Sequence, residues 1–251
     1  MKNLLEIENL SVKIKNNLIL KNINIILESE KITGLIGGSG SGKTTLIKTL
    51  LSIHNLEQVE MSGTIKIEGL KMNSKNQKWI QPVFQDPNHY FNPNWNLRQC
   101  LEEPLVLNQT VPKEKHREKI LSYLNEFSIS SDLLEQQITK FSGGELQRIS
   151  IIRAILSEPK ILLMDEPVSG LDPLIQRDAI TLIQRLNKEK KITLLLISHD
   201  IDFISELCDF IYVIQEGQIV EANSCYNILN DPKSEYTKLI LNSRNLENIK
   251  N

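Results

Sequence analysis

The sequence predicts an α/β fold with a mostly parallel sheet, an N-terminal antiparallel β subdomain and an inserted α-helical subdomain. The first thirty residues alternate apolar and polar with period two, whereas 31–36, 160–165 and 192–197 are near-continuous apolar runs. Alternation marks strands with one wet face, and continuous runs mark strands covered on both faces, as parallel sheets are. Between 85 and 158 both patterns give way to a series of helix-like segments. A chain of 251 residues, 40% hydrophobic and 24% charged, is long enough for one large domain with subdomains. The expected division puts the α/β core with its antiparallel subdomain at 1–84 and 159–241, the helical subdomain at 85–158 and a frayed polar tail at 242–251.

Leu5 and Ile7, then Leu10, Val12 and Ile14, then Leu18 and Leu20, then Ile23, Ile25 and Leu27 follow the two-residue period. Asn16-Asn17 supplies a turn between two of these runs, so the chain opens with an antiparallel hairpin. The strand ending at Ile36 enters a glycine-rich loop and then a helix reaching about Ile53. A further strand, 63–69, is bounded by Gly63 and Gly69. Residues 86–96, rich in Pro, Asn and aromatics, read as an ordered loop. Short helices are expected at 97–107, 113–127 and 132–138. After Gly144 a longer helix presents Leu146, Ile149, Ile152, Ile155 and Leu156 on one face. The strand 160–165 precedes a helix with Asp172 as N-cap and Pro173 at its first position. Residues 192–197 form a buried strand, and 210–214 with 218–220 form a hairpin around Glu216-Gly217.

Several function classes recede on bulk properties. Net charge is −2, with 29 basic and 31 acidic residues, so no global basic field argues for nucleic acid. The apolar runs fall far short of the ~20 residues a bilayer span needs. The start, Met1 to Glu8, turns acidic too early for a signal peptide. The expectation is a cytosolic chain that reaches a membrane only through a partner. Cys100, Cys208 and Cys225 are widely scattered, without the spacing of a metal or disulfide motif.

The chemistry begins at Gly37, Gly38, Ser39, Gly40, Ser41, Gly42, Lys43, Thr44 and Thr45. The pattern Gly-x-x-x-x-Gly-Lys-Thr between a strand and a helix lets the backbone curl its N–H groups around phosphate oxygens. The helix that follows adds its positive end. Lys43 would reach the β- and γ-phosphates, and the Thr44 hydroxyl would bind Mg²⁺. This is the loop of a P-loop NTPase core. Asp165 ends a strand buried on both faces, where a carboxylate is costly unless it meets a cation. Beside a phosphate loop that cation is Mg²⁺. Glu166 follows directly and could polarise the water that attacks the γ-phosphate. Ser142, Gly143, Gly144 and Glu145 allow two readings: a capping box on the next helix, or a helix N-terminus left open to an anion.

Taken in order and spacing, the phosphate loop, the Ser-Gly-Gly-Glu segment, Leu-Leu-Met-Asp-Glu-Pro and Ile-Ser-His-Asp resemble the nucleotide-binding subunit of ATP-binding cassette (ABC) proteins. The resemblance spans nearly the whole chain. It implies ATP and Mg²⁺ as ligands and ATP hydrolysis as the activity. It further implies that Ser142, Gly143, Gly144 and Glu145 meet the γ-phosphate held by an opposing subunit. Gln85 matches the glutamine that senses Mg²⁺ and the attacking water, Asp172 the aspartate of the loop communicating across the dimer, and His199 the switch histidine. Two departures stand out. Ile14 occupies the place of the usual adenine-stacking aromatic, and Phe141 and Glu145 stand where Leu and Gln are commoner.

The segment from Phe84 to Trp95, the following Glu102-Glu103-Pro104 and the stretch 230–240 are similar to the peptide/nickel importer branch. That branch implies a second ATPase subunit, identical or different, transmembrane permease subunits and an extracytoplasmic solute-binding protein. It places the chain on the cytoplasmic face of the cell membrane. The absence of a Cys-containing extension leans toward the short nickel or metal–metallophore type. Tyr90, Phe91 and Trp95 fit either local core packing or a groove for a membrane subunit's coupling helix. The competing function is a cassette ATPase serving a soluble enzyme complex, such as one cleaving carbon–phosphorus bonds. A small-molecule P-loop kinase would lack the Ser-Gly-Gly-Glu segment.

Overall fold

The computed structural model describes residues 2–54, 59–87, 90–109, 111–168 and 173–247, with backbone alone at 173–175 and 243–247. Strands β1 (Asn3–Ile14) and β2 (Asn17–Glu28) pair antiparallel. Their apolar alternation changes parity, from Leu5 and Ile7 to Leu10 and Val12, and from Leu20 to Ile23, Ile25 and Leu27, yet all these residues are buried. A regular strand would turn half of them outward. The pairing shifts register between Ile7 and Leu10. Asn9 and Asn22 take left-handed φ values of 51° and 54° there. The Asn9 N–H donates to Asn24 Oδ1 and the Asn22 N–H to Ser11 Oγ, both at 2.9 Å.

Strand β4 (Val59–Ile67) lies on the other side of β1, with Gly63 against the same irregularity at φ 94°. A Cβ on Gly63 would sit 2.4 Å from the Asn9 carbonyl oxygen. Gly63 therefore belongs inside its strand, where the bulge requires it, and does not bound it as the sequence suggested. With β5 (Leu70–Lys71) this sheet has the order β2-β1-β4-β5.

The second sheet runs β10-β9-β3-β8-β7-β6. It consists of β3 (Ile32–Ile36), β6 (Ile80–Val83), β7 (Ile161–Asp165), β8 (Thr193–Ile197), β9 (Phe210–Gln215) and β10 (Gln218–Ser224). Every pairing is parallel except β9 with β10. Leu35, Leu163, Leu195 and Ile197 face the four-stranded sheet and α1 (Lys43–Leu50), while Ile36, Leu162, Met164, Leu194 and Leu196 join the helices on the other face. Two covered faces explain the continuous apolar runs. Strand β6 was not legible in the sequence because Pro82 interrupts it. The strand pairs only with β7 at the sheet's edge, where a residue without an N–H is tolerated.

Helix α1 ends at Leu50, short of the expected Ile53. After α2 (Ser74–Gln77) come α3 (Leu97–Asn108), α4 (His116–Glu126) and α5 (Gly143–Leu156). Single 3-10 turns at Ser131–Glu135 and Ile138–Lys140 replace the helix expected at 132–138. The expected loop ahead of α3 is irregular over its described residues. Then follow α6 (Pro173–Lys188), α7 (Ile201–Leu207), α8 (Cys225–Asn230) and α9 (Glu235–Glu247). Residues 242–247, expected to fray, continue α9. The Asp172 N-cap lies outside the described residues.

Candidate functional site

The 37–45 loop joins the buried end of β3 to α1, as its spacing required. A Cβ on Gly37 would lie 2.3 Å from the Ile214 carbonyl oxygen, so β9 packs directly on the loop backbone. Gly42 is the N-cap of α1, at φ 109°, and offers no side-chain acceptor to the first-turn N–H groups. Gly38, Ser39, Gly40 and Thr44 are exposed, whereas Ser41 is buried. The Ser41 carbonyl accepts from the Gly217 N–H at 2.9 Å, tying the β9–β10 turn to the loop. Lys43 Nζ folds back to donate to the carbonyls of Gly37 at 2.6 Å and Gly38 at 2.9 Å. Burial lowers the Lys43 pKa, and the charges of Glu166 and Asp165 oppose that shift.

Asp165 closes β7. Its carboxyl is pushed up, first by burial and then by Glu166, with Lys43 pulling the other way. Glu166 adopts φ 48°, a strained conformation for a residue with a side chain. Its N–H donates to the Ile197 carbonyl at 2.8 Å, which locks the strained residue to the end of β8. The carboxylate is gripped by the segment after β8. Ser198 Oγ donates to Oε2 at 2.9 Å, and the His199 N–H donates to Oε1 at 3.0 Å. His199 Nδ1 lies 2.8 Å from the same Oε1. Glu166 is 12% exposed and His199 71%. Asp200 completes the turn by capping α7 through the Phe203 N–H.

Gln85 is exposed two residues beyond Val83, which pairs in register with Met164. It therefore leaves the sheet at the edge where Asp165 and Glu166 lie. The loop, Gln85, the carboxylates and His199 all follow the carboxyl ends of parallel strands, where α/β sheets bind ligands.

The Ser-Gly-Gly-Glu segment starts α5 on the helical side. Ser142 N–H and Oγ both donate to Glu145 Oε2, at 2.8 and 2.7 Å, and the Glu145 N–H returns to Ser142 Oγ at 3.4 Å. Those Ser142 hydroxyl and backbone bonds hold the Glu145 carboxyl below its usual range. The capping-box reading is thus realised, and it leaves Gly143 with open space in front of it. Helix α5 packs on α3, α4 and β6, so the segment belongs to the helical side of the molecule. Ile14 ends β1 half-buried, opposite Asn17 and Val59. Phe91 is buried, with Tyr90 and Trp95 packed against the same core, which favours the packing reading of these aromatics.

Comparison with known proteins settles the family. The ABC transporter family model matches residues 20–169. The oligopeptide transport ATP-binding protein OppF of Streptococcus mutans is 33% identical over 96% of this chain and 82% of its own length. The chain belongs to the ABC transporter family. As an ABC ATPase it binds and hydrolyses ATP, with Mg²⁺ as the nucleotide's metal partner. The dipeptide transport ATP-binding protein DppF of Escherichia coli is 33% identical over 89% of this chain and 68% of its own. The chain spans 44% of the uncharacterised ABC transporter ATP-binding protein YejF of Escherichia coli, at 32% identity. Among solved structures, CbiO1 of Clostridium perfringens, part of the CbiONQ transporter complex, superposes with TM-score 0.79 at 26% identity, covering 98% of this ABC chain and 96% of its own.

Sequence reasoning passed over two side chains of this ABC ATPase. Ser198 was visible only as a neighbour of His199, yet its hydroxyl holds Glu166. Tyr236 gave no signal beyond its place in the branch-like stretch 230–240, yet its hydroxyl touches the loop.

Proposed function

We propose that this chain is the ATP-hydrolysing subunit that powers an importer for a small solute of the peptide class. The observation that carries the proposal is the convergence of the 37–45 loop, Asp165, Glu166 and the 198–199 segment on one edge of the sheet. The relatives named for oligopeptide and dipeptide transport support a peptide over nickel or a metal–metallophore complex.

In this reading the N–H groups of the loop and of the uncapped α1 cradle the triphosphate, aided by Ser39, Ser41 and Thr45. Lys43 exchanges its two carbonyl partners for phosphate oxygens, where charge-assisted bonds are stronger. Among the described residues no cluster of three or more His, Cys, Asp or Glu side chains is placed to hold a metal alone. Thr44, Asp165 and Gln85 fit Mg²⁺, which keeps phosphate oxygens and water among its ligands. Bound there, Mg²⁺ would neutralise phosphate charge. Glu166 acts as general base, held until needed by Ser198 and His199, and the exposed His199 is free to follow the γ-phosphate. Ser142, Gly143, Gly144 and Glu145 present the open start of α5 to a second subunit's nucleotide, with Asp172 communicating across the pair. The active form is then a homo- or heterodimer of cassettes.

Permease subunits and an extracytoplasmic solute-binding protein complete the proposed system, with this chain on the cytoplasmic face of the membrane. No helix among the described residues is long and apolar enough to cross a bilayer, consistent with attachment through partners. Purification from native membranes tests the assignment. Co-purification with a multi-span protein supports it, and recovery with soluble enzymes alone would overturn it.

Ile14 gives a separate expectation. Ile14→Tyr should tighten ATP more than inorganic triphosphate in calorimetry, because only ATP carries a base to stack. Equal tightening of both ligands refutes a stacking deficit at this position.

A further inference from the structure

The Gly38 N–H donates to Tyr236 Oη at 2.7 Å, across 198 positions of sequence. The rest of that residue is also held, since the Gly38 carbonyl accepts from Lys43 Nζ at 2.9 Å and from the Ser41 N–H at 3.3 Å. A Cβ on Gly38 would stand 3.0 Å from the tyrosine hydroxyl, so a side chain there would press the hydroxyl back by a few tenths of an ångström. Tyr236 lies in the first turn of α9, and its ring packs on the main core.

The start of α9 is itself pinned. Glu221 on β10 accepts the N–H groups of Lys233 at 2.8 Å and Ser234 at 2.9 Å. Burial pushes the Glu221 carboxyl up, but the nearby Thr237 hydroxyl and the bonds from the Lys233 and Ser234 N–H groups outweigh it and hold the carboxyl below its usual range. Ser234 Oγ accepts the Tyr236 N–H at 3.2 Å, and Thr237 beside it is fully buried. The hydroxyl therefore reaches the loop from a fixed base.

We propose that Tyr236 is a positioning residue for nucleotide binding: its hydroxyl straps the Gly38 amide and holds the 37–45 loop in the shape that receives a triphosphate. The strap makes the C-terminal segment part of the nucleotide site without touching the nucleotide. The inference rests on the assignment of 37–45 as the phosphate loop.

The experiment is Tyr236→Phe, which removes only the hydroxyl. A single neutral hydrogen bond of this kind corresponds to a loss of about 3- to 10-fold in affinity. ATP, ADP and inorganic triphosphate should weaken by that same factor, because the strap acts on the phosphate-binding part. KM for ATP should rise in step, with kcat at saturating ATP kept within about twofold. In ¹⁵N-glycine-labelled protein the Gly38 amide should exchange faster with solvent. Gly38→Ala, which sets a methyl 3.0 Å from the hydroxyl, reads the same contact from the other side should the first variant fold poorly. Unchanged KM and unchanged Gly38 exchange overturn the proposal, as does a fall in kcat with KM constant. Lys43→Ala separates the two levels. Normal ATP binding by that variant removes the loop assignment itself, whereas its loss beside an unaffected Tyr236→Phe removes Tyr236 alone.

Discussion

Glu166→Gln retains ATP binding and loses about 10²- to 10⁴-fold in turnover, the range that removal of a general base produces. The amide oxygen can still accept from Ser198 Oγ or the His199 N–H, which hold the carboxylate at 2.9 and 3.0 Å. The left-handed backbone at φ 48° suits Gln no worse than Glu. Geometry is thus preserved while the capacity to take a proton is lost. The substitution also removes a negative charge beside Asp165, whose carboxyl Glu166 helps to push up. Asp165 should then ionise more readily, which favours Mg²⁺ binding over weakening it. Steady-state hydrolysis, with nucleotide binding measured in parallel, checks both halves. Near-normal turnover would falsify the assignment of Glu166 as general base.

Lys43→Ala abolishes measurable ATP binding by calorimetry. The lysine sits half-buried between loop carbonyls and two carboxylates, and burial already lowers its pKa, so its ammonium gains most when phosphate oxygens replace neutral partners. Removing it takes away the pull that Lys43 exerts against the shift of Asp165, whose carboxyl then rises further. Phosphate affinity and metal affinity fall together. Unchanged affinity would leave the 37–45 loop without its central role.

The segments proposed to carry chemistry stand out in the sequence because each obeys a spacing rule: glycines at fixed offsets before a helix, a carboxylate at the end of an apolar run, a histidine after another. The rest depended on contacts between distant parts of the chain. Strand β6 was hidden by Pro82, which only an edge position permits. The bulge shared by Asn9, Asn22 and Gly63 left a trace, since the apolar parity switches at those asparagines, but Gly63 read more simply as a strand boundary. The two readings of Ser142 and Glu145 could not be separated by residue type, because a capping box and an open helix start use the same residues. Tyr236 was beyond local reading altogether, as nothing near it in sequence says that Gly38 is its partner.

The missing cap on α1 bears on how the molecule holds together. A helix whose first amides lack a side-chain acceptor begins at an electrostatic deficit, and in the proposed reading a bound phosphate supplies the anion that a serine or aspartate would otherwise provide. Nucleotide is in that sense a part of the folded core that arrives from solution. Occupancy at a hundred times Kd adds about 2.7 kcal/mol to the native state. A chain emptied of nucleotide is therefore the more thermolabile form, and in cells rich in ATP the cassette is kept folded in part by the molecule it consumes.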